Sequence, residues 1–478
     1  MLLQLLLKFQ KKVICSIPRT TFSEILQLLD PKYFFDTPKC GKYGLDSVVV
    51  DIVPVRRVFS KFVKGVPQLV EMRRLDGRPF GLKEYTSLLN CARACRDPRT
   101  ATALWRDMKI DHVVPNTTCY NYYMAVKLSP YLSPASKATS GKPRKHKASN
   151  PGVKDLVLRL FDDMVLNGLG EGDSRTFCLV MTAMGEEGDI AGVKSVLNKV
   201  WGVNVDALLS NEEEPLHLVK KYCEGSPLFP DSFLLYTIAN AFGSNNDIPS
   251  ALRIIDFVSR QYSVTISSEV WTRLLKWTCI WSARQYPPRF YRYRRVGEST
   301  SRLSPNSVQS LWDTMAAEPY NVKPVMAMYN EFIRSLVLRK SLGQAQEMME
   351  EGLTLLNLSI ERYMAEKRRY FLARSLWARA TTSKSYLRPL QRRMDLARVD
   401  NIYAAFSVRK WVRLLIRHKS FGRGLEWERV SMPDIIQRWR KYLPKEVHYL
   451  TTGGIVSFSP GARSVAATAV ARISRAGQ

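Results

Sequence analysis

Apolar residues recur at three- and four-residue spacing through most of the chain, the period of an amphipathic helix. Tyr85, Leu88, Leu89 and Ala92 mark one such stripe. Asp97-Pro98 interrupts it, and Ala101, Leu104, Trp105 and Met108 mark a second. A lone helix cannot bury either stripe, so the pattern predicts a helix–turn–helix unit that packs on another of its kind. One complete unit runs from Tyr85 to Asn116, and Tyr120 opens the next, 35 residues after Tyr85. A period of this length predicts an open helical array, whose long surface suits binding better than catalysis.

The pattern recurs with degeneration. Tyr120-Asn121-Tyr122 opens a second unit with its return helix at 156–168. Phe177 opens a third, with Gly188-Asp189-Ile190 at its turn, and Leu235 a fourth, with Asn246-Asp247-Ile248. Trp271 opens a fifth, whose return helix includes 310–315. Tyr329-Asn330 opens a sixth, five residues after Pro324, as Tyr120 follows Pro115; Leu342 and Ala345 begin its return helix. Inserts interrupt the array at 134–150 (basic, without an acid), at 207–229 (with Glu212-Glu213-Glu214) and at 284–305. The fold class expected is all-α, a right-handed superhelical solenoid of degenerate helix–turn–helix repeats with a basic helical C-terminal extension. Its expected parts are a targeting segment at 1–30, a helical region at 31–80, the array at 81–355, a basic helical region at 356–450 and a flexible tail at 451–478.

Charge narrows the partner. Lys and Arg number 72 against 43 Asp and Glu, a net charge of +29. Such an excess opposes compaction and points to a polyanion, either nucleic acid or an anionic membrane, although organellar proteins share a basic bias. Residues 361–445 hold 22 basic and 7 acidic side chains, about half of the whole surplus. Lys8, Lys11, Lys12 and Arg19 precede the first acid, Glu24, and the apolar residues between them fall on repeating faces. This is the composition of an amphipathic mitochondrial presequence. In the rival secretory reading of MLLQLLL, the charges would come first and a small-residue cleavage site would follow. No stretch reaches the ~18–20 apolar residues of a membrane span, so the expected location is the mitochondrial matrix, with peripheral contact to the inner membrane.

Chemistry is sparse. The eight cysteines form no CxxC pair and the five histidines are scattered, so no metal or cofactor site is expected. Phosphate-loop, HExxH and GxSxG motifs are absent, and neither catalysis nor a small-molecule substrate is expected. Asp162-Asp163 and the group Glu347, Glu350, Glu351 fall on return helices, where acids commonly solvate an outer face.

The unit from Tyr85 to Asn116 resembles a pentatricopeptide (PPR) repeat, with Tyr followed by a polar residue, a two-helix period and Pro-Asn at the end. Residues 235–262 and 312–330 are more narrowly similar to the fungal mitochondrial ATPase expression family. That resemblance implies RNA binding and the expression of a mitochondrially encoded ATP synthase subunit, through translation or message stability. It also implies that the residue after the opening tyrosine and the last residue of the motif together select a base. Those are Thr86 with Asn116, suggesting adenine, and Asn121 with Asp173, suggesting uracil. Asn330 stands at the equivalent place in the sixth unit. Tyr236 and Thr272 depart from the pattern, and their closing residues do not align.

Single-stranded RNA needs polar edges or aromatic faces for bases and cations for phosphates. The polar pairs supply the first, although Asn and Thr also serve as plain helix caps. The 284–295 segment interleaves arginines with aromatics, and Arg289, Tyr291, Arg292, Arg294 and Arg295 are its candidates; an aromatic seal on the core is the alternative. Lys410, Arg413 and Arg417 share one helical face and Trp411, Leu414 and Leu415 another. The cationic face suits a phosphate backbone, ribosomal RNA or an anionic membrane. The expected partner is a single-stranded mitochondrial mRNA, with the mitoribosome and a protein-binding scaffold role as rivals.

Overall fold

The computed structural model describes residues 17–31, 53–132, 152–170, 172–210, 219–282, 303–304, 306–377, 387–417, 427–451 and 454–459. The insert at 134–150 lies outside the described residues, as do Arg289, Tyr291, Arg292, Arg294 and Arg295. The chain divides into two compact units, 1–277 with 286–301, and 278–285 with 302–478.

In the first unit, α1 (Arg19–Leu28) and α2 (Val53–Leu75) precede a series of helix pairs. These are α3 (Leu82–Cys95) with α4 (Pro98–Ile110), α5 (Thr117–Leu132) with α6 (Val153–Leu166), and α7 (Ser174–Glu187) with α8 (Ile190–Trp201). A short α9 (Val205–Ser210) follows, then α10 (Ser232–Ser244) with α11 (Ile248–Tyr262), and α12 (Ser268–Ser282) opens the next pair. Each first helix packs on the following first helix, in the row α3, α5, α7, α10, and each return helix packs on its own partner. This is the all-α repeat architecture that the periodicity predicts.

The turns between paired helices share one local design. A residue in the left-handed region ends the first helix: Arg96 (φ 53°), Gly188 (φ 85°) or Asn246 (φ 63°). An aspartate follows and caps the return helix: Asp97 accepts from the Arg99 and Thr100 amides, Asp189 from Gly192 and Asp247 from Ser250. The left-handed residue reverses the chain, and the carboxylate satisfies amides that have no partner within the helix. Small residues set the spacing of the row. A Cβ on Gly185 of α7 would lie 2.7 Å from the Ala241 Cβ of α10, so this crossing requires glycine.

The expected targeting segment at 1–30 overlaps the core. Phe22, Leu26 and Leu29 are buried in one cluster with Phe80, Tyr85 and Leu88. Arg73, also buried, lies over the rings of Phe22 and Phe80 and donates to the Ile17 carbonyl at 2.8 Å. The apolar face of this helix packs against α3.

The second unit takes the end of α12, then α13 (Ser307–Ala316), α14 (Met326–Leu338), α15 (Leu342–Trp377), α16 (Leu387–Arg417) and α17 (Met432–Arg438). The boundary placed at 355/356 falls inside α15, which runs unbroken for 36 residues because neither glycine nor proline follows Gly352 within it. α16 packs along α15 and also on α14. A Cβ on Gly352 would lie 2.6 Å from the Trp411 ring, so the two long helices approach closely there. Helical structure to 450 with a flexible tail from 451 is corrected by an antiparallel hairpin. Strand β1 (Val447–Thr451) pairs with β2 (Gly454–Phe458), from Val447↔Phe458 to Thr451↔Gly454. Its alternating β-branched and aromatic residues favour a pleated surface, and buried Val447 anchors it.

Removing residues 1–16 is expected to leave the melting temperature unchanged. Removing 1–31 strips three buried apolar side chains from the core, a loss on the order of 5 kcal/mol at about 1.5–3 kcal/mol each. Thermal melts of the two truncations, monitored by circular dichroism, test this: equal curves would show that α1 is not part of the fold.

Candidate nucleic-acid interface

One edge of the first-helix row gathers the residues that close one repeat and open the next. Asn116 Oδ1 accepts from the Cys119 amide at 2.9 Å, and Asp173 Oδ1 from the Thr176 amide at 2.8 Å. Asp231 Oδ1 accepts from Phe233 and Leu234, each at 3.0 Å. Asn116, Asp173 and Asp231 stand four residues before Tyr120, Phe177 and Leu235. The capping and base-selecting readings therefore fall on the same side chains. Asp231 is a closing residue that sequence alignment of the units does not identify; the constant four-residue offset is the signal that could have found it.

The opposing residues differ from unit to unit. Thr86 Oγ1 donates to the Leu82 carbonyl at 2.7 Å and lies 3.2 Å from Cys119 Sγ, so Thr86 and Asn116 meet through Cys119. Asn121 is bound directly to its predicted partner, its Nδ2 donating to Asp173 Oδ1 at 2.9 Å. Thr176 Oγ1 lies 2.8 Å from Asn121 Oδ1 and 2.9 Å from Asp173 Oδ1, which closes a small polar network. None of these bonds engages Asp173 Oδ2. In the third unit the place is taken by Cys178, fully buried, whose thiol is pushed up by desolvation and by the charge of Asp231. Tyr236 occupies it in the fourth unit, half-buried.

Cations lie over aromatic rings along the same row. The Arg93 guanidinium lies 5.3 Å from the Tyr122 ring centroid, Arg175 lies 3.8 Å from Phe233, and Arg273 lies 4.8 Å from Tyr236. Sequence periodicity does not reveal these pairs, because they join residues up to 58 positions apart.

The tyrosines that open units serve a different purpose. Tyr85 Oη donates to Asp111 Oδ2 at 2.6 Å, and Tyr120 Oη to Asp163 Oδ2 at 2.9 Å. In the second unit of the chain, Tyr329 Oη donates to Glu351 Oε2 at 3.3 Å. Asp163 and Glu351, expected from sequence on a solvated outer face, thus each accept a first-helix phenol. Burial is the largest cause, and the carboxylate the next, of a Tyr120 phenol pushed up to about 12; Tyr329 is pushed up to about 12 by burial and Glu351.

In that second unit Asn330 is enclosed. Its Nδ2 donates to Tyr403 Oη at 2.8 Å and Ser407 Oγ at 3.1 Å, while its Oδ1 accepts from Trp411 Nε1 at 2.7 Å. Both amide hydrogens are spent on α16, so Asn330 joins two helices, in contrast to the base-reading place expected for it. Lys410 and Arg413 are exposed on α16 opposite buried Trp411 and Leu415, as the spacing predicts. The side chain of Arg417 lies outside the described residues.

Among known proteins, residues 174–290 match the mitochondrial ATPase expression family. The match spans α7 to α12, and the resemblance seen at 235–262 lies within it, whereas that at 312–330 lies beyond it. The mitochondrial pentatricopeptide repeat-containing protein 6 of Schizosaccharomyces pombe is 22% identical over 210 residues, which cover 42% of this chain and 43% of that protein. The chain thus spans less than half of the curated relative it matches. Among solved structures, the pentatricopeptide repeat protein PPR10 from maize aligns with 92% of this chain and 63% of its own, at 14% identity and a TM-score of 0.32. PPR10 in complex with an 18-nt psaJ RNA element aligns with 80% and 56%, at 14% identity and a TM-score of 0.29. The part of the chain matching the ATPase expression family is therefore the part where the amide–carboxylate edge gives way to cations stacked on rings.

Asn330→Ala is expected to lower stability by about 2–4 kcal/mol, because it strands the Trp411 indole N–H and two hydroxyls inside the α14–α16 contact. Denaturant unfolding measures this, and a decrease below about 0.5 kcal/mol would return Asn330 to the surface face. Alkaline pH provides a second check. The folded state holds the Tyr120 and Tyr329 protons more tightly than the unfolded chain, where tyrosine titrates near ~10. Their contribution is complete below about pH 10 and is lost as pH rises towards 12. Melting temperature should fall steeply over that window and less steeply in Tyr120→Phe.

Proposed function

We propose that this protein is a mitochondrial RNA-binding factor that acts after transcription, holding a single-stranded segment of a mitochondrially encoded mRNA along the first-helix edge. The observation that carries this reading is the Asn121–Asp173 pair. Two residues 52 positions apart, expected from sequence to select a base together, are joined by a 2.9 Å hydrogen bond at the edge. The net charge of +29 supports a polyanionic partner. The family description, mitochondrial ATPase expression, supports an ATP synthase subunit message as the target, through translation or stability. The mitochondrial relative supports the compartment, and the basic first 16 residues support import to the matrix.

A second reading has its own observation. On α15, Leu358, Met364, Phe371, Leu372 and Leu376 are exposed beside Lys367, Arg368 and Arg369. Exposed apolar side chains suit a protein or an interfacial surface better than RNA. They favour contact with the mitoribosome, the inner membrane or a respiratory-complex subunit, either alongside RNA binding or in its place.

RNA crosslinking and sequencing from purified mitochondria discriminates these. Recovery of one messenger is the expected result; ribosomal RNA alone would support the ribosomal reading, and no RNA would leave the scaffold. Asn116→Asp keeps the oxygen that caps α5 while removing the amide, so base preference at that position should change with the melting temperature held. Replacing the arginines at 289, 292, 294 and 295 by glutamine should make the salt dependence shallower, by about 0.7 in log–log slope for each phosphate no longer engaged. Unchanged preference in the first variant would refute base selection there.

A further inference from the structure

The edge changes character between its second and fourth units. Where the second unit closes on the partly exposed Asp173 carboxylate, backed by buried Asn121, the fourth unit presents rings. Phe233 and Tyr236 lie one turn apart on α10, their centroids 6.4 Å apart and their planes within 15°. Arg175, from the first turn of α7, covers Phe233 at 3.8 Å, and Arg273, from α12, covers Tyr236 at 4.8 Å. The four side chains therefore form one stack, cation–ring–ring–cation, across three successive first helices.

Their exposure separates this stack from a core seal. Phe242 and Trp271, on the same helices, are at most 1% exposed, whereas Phe233, Tyr236 and Arg273 are half-buried and Arg175 is exposed. A hydrophobic seal has no need of two cations over its faces. Two acids lie near: Asp231 at the start of α10, whose carboxylate caps the Phe233 and Leu234 amides, and Glu269, one turn before Arg273 on α12. Partly exposed rings flanked by guanidinium groups meet both needs of a single strand, faces for the bases and charge for the phosphates. The stack also stands where selective groups are missing, with Cys178 buried and Tyr236 in the base-selecting place.

We propose that Arg175, Phe233, Tyr236 and Arg273 form a base-tolerant stacking subsite for single-stranded RNA. The guanidinium groups that cover the rings in the free protein turn to adjacent phosphates, and the bases take their places on the rings. This subsite holds the strand without reading it, and leaves selection to the earlier units. The inference rests on the RNA-binding reading above.

The test uses the full chain and fluorescence anisotropy with labelled oligo(U), oligo(A) and oligo(C). The wild type is expected to bind all three. Phe233→Leu with Tyr236→Leu should weaken all three alike, by about tenfold or more, since a stacked base contributes about 1–3 kcal/mol. Arg175→Gln with Arg273→Gln should make the log–log salt slope shallower by about 1.4, at roughly 0.7 per phosphate on a single strand. Arg175 is exposed, and Arg175→Gln alone, with about half that slope change, carries the test should the leucine pair fail to fold by circular dichroism. If the wild type binds and the folded variants match it in affinity and salt slope, the subsite is wrong while the RNA-binding reading stands. A decrease confined to one homopolymer would overturn base tolerance. A wild type that binds none of the probes would remove the RNA-binding reading, and this subsite with it.

Discussion

Each helix pair here has a wider apolar face than its own two helices can cover, and that shortfall governs the rest of the structure. It forces every pair against the next, and so brings the starts of α3, α5, α7 and α10 to one edge. Close approach depends on small residues at the crossing points, as Gly185 against Ala241 illustrates. The same requirement explains why α1 and Arg73 are drawn into the core, where among the described residues they cover the face of α3 away from α5. Stability and surface pattern thus follow from one need, the covering of unsatisfied apolar area.

Polar groups then divide into two kinds by how completely the fold consumes them. The phenol–carboxylate bonds of Tyr85, Tyr120 and Tyr329 fix a first helix to the segment that returns from it. Burial keeps these phenols neutral and unavailable to a ligand. The caps at Asn116, Asp173 and Asp231 are only partly consumed, because a cap engages one oxygen or amide edge and leaves the rest of the group at the surface. This economy allows one residue both to begin a helix and to face a partner.

Much of this is legible in the amino-acid order, because helix periodicity and turn chemistry are local. The openings at Tyr85, Tyr120, Phe177, Leu235, Trp271 and Tyr329 each fall on a first helix, and Gly188-Asp189 and Asn246-Asp247 are turns. The partnership of Asn121 with Asp173 is also visible, from the offset to the next opening residue. The approach of Arg175 to Phe233 and of Asn330 to Trp411 is not, since it depends on which helices become neighbours. Asp163 and Glu351 mislead for a related reason: a carboxylate on a return helix gives no sign of the phenol beside it. The hairpin at 447–458 is hidden because its strands are short and its polar residues resemble a tail.

Asn330 carries a meaning beyond its hydrogen bonds. By gripping Tyr403, Ser407 and Trp411, it installs α16 against α14 where another repeat would otherwise begin, and α15 is too long to turn back as an ordinary return helix. A long helix instead of another helix pair therefore covers α14, in the way that a capping element covers the last module of a repeat array. Within the second unit, α16 thus takes the face of α14 that the return of a further helix pair would otherwise cover.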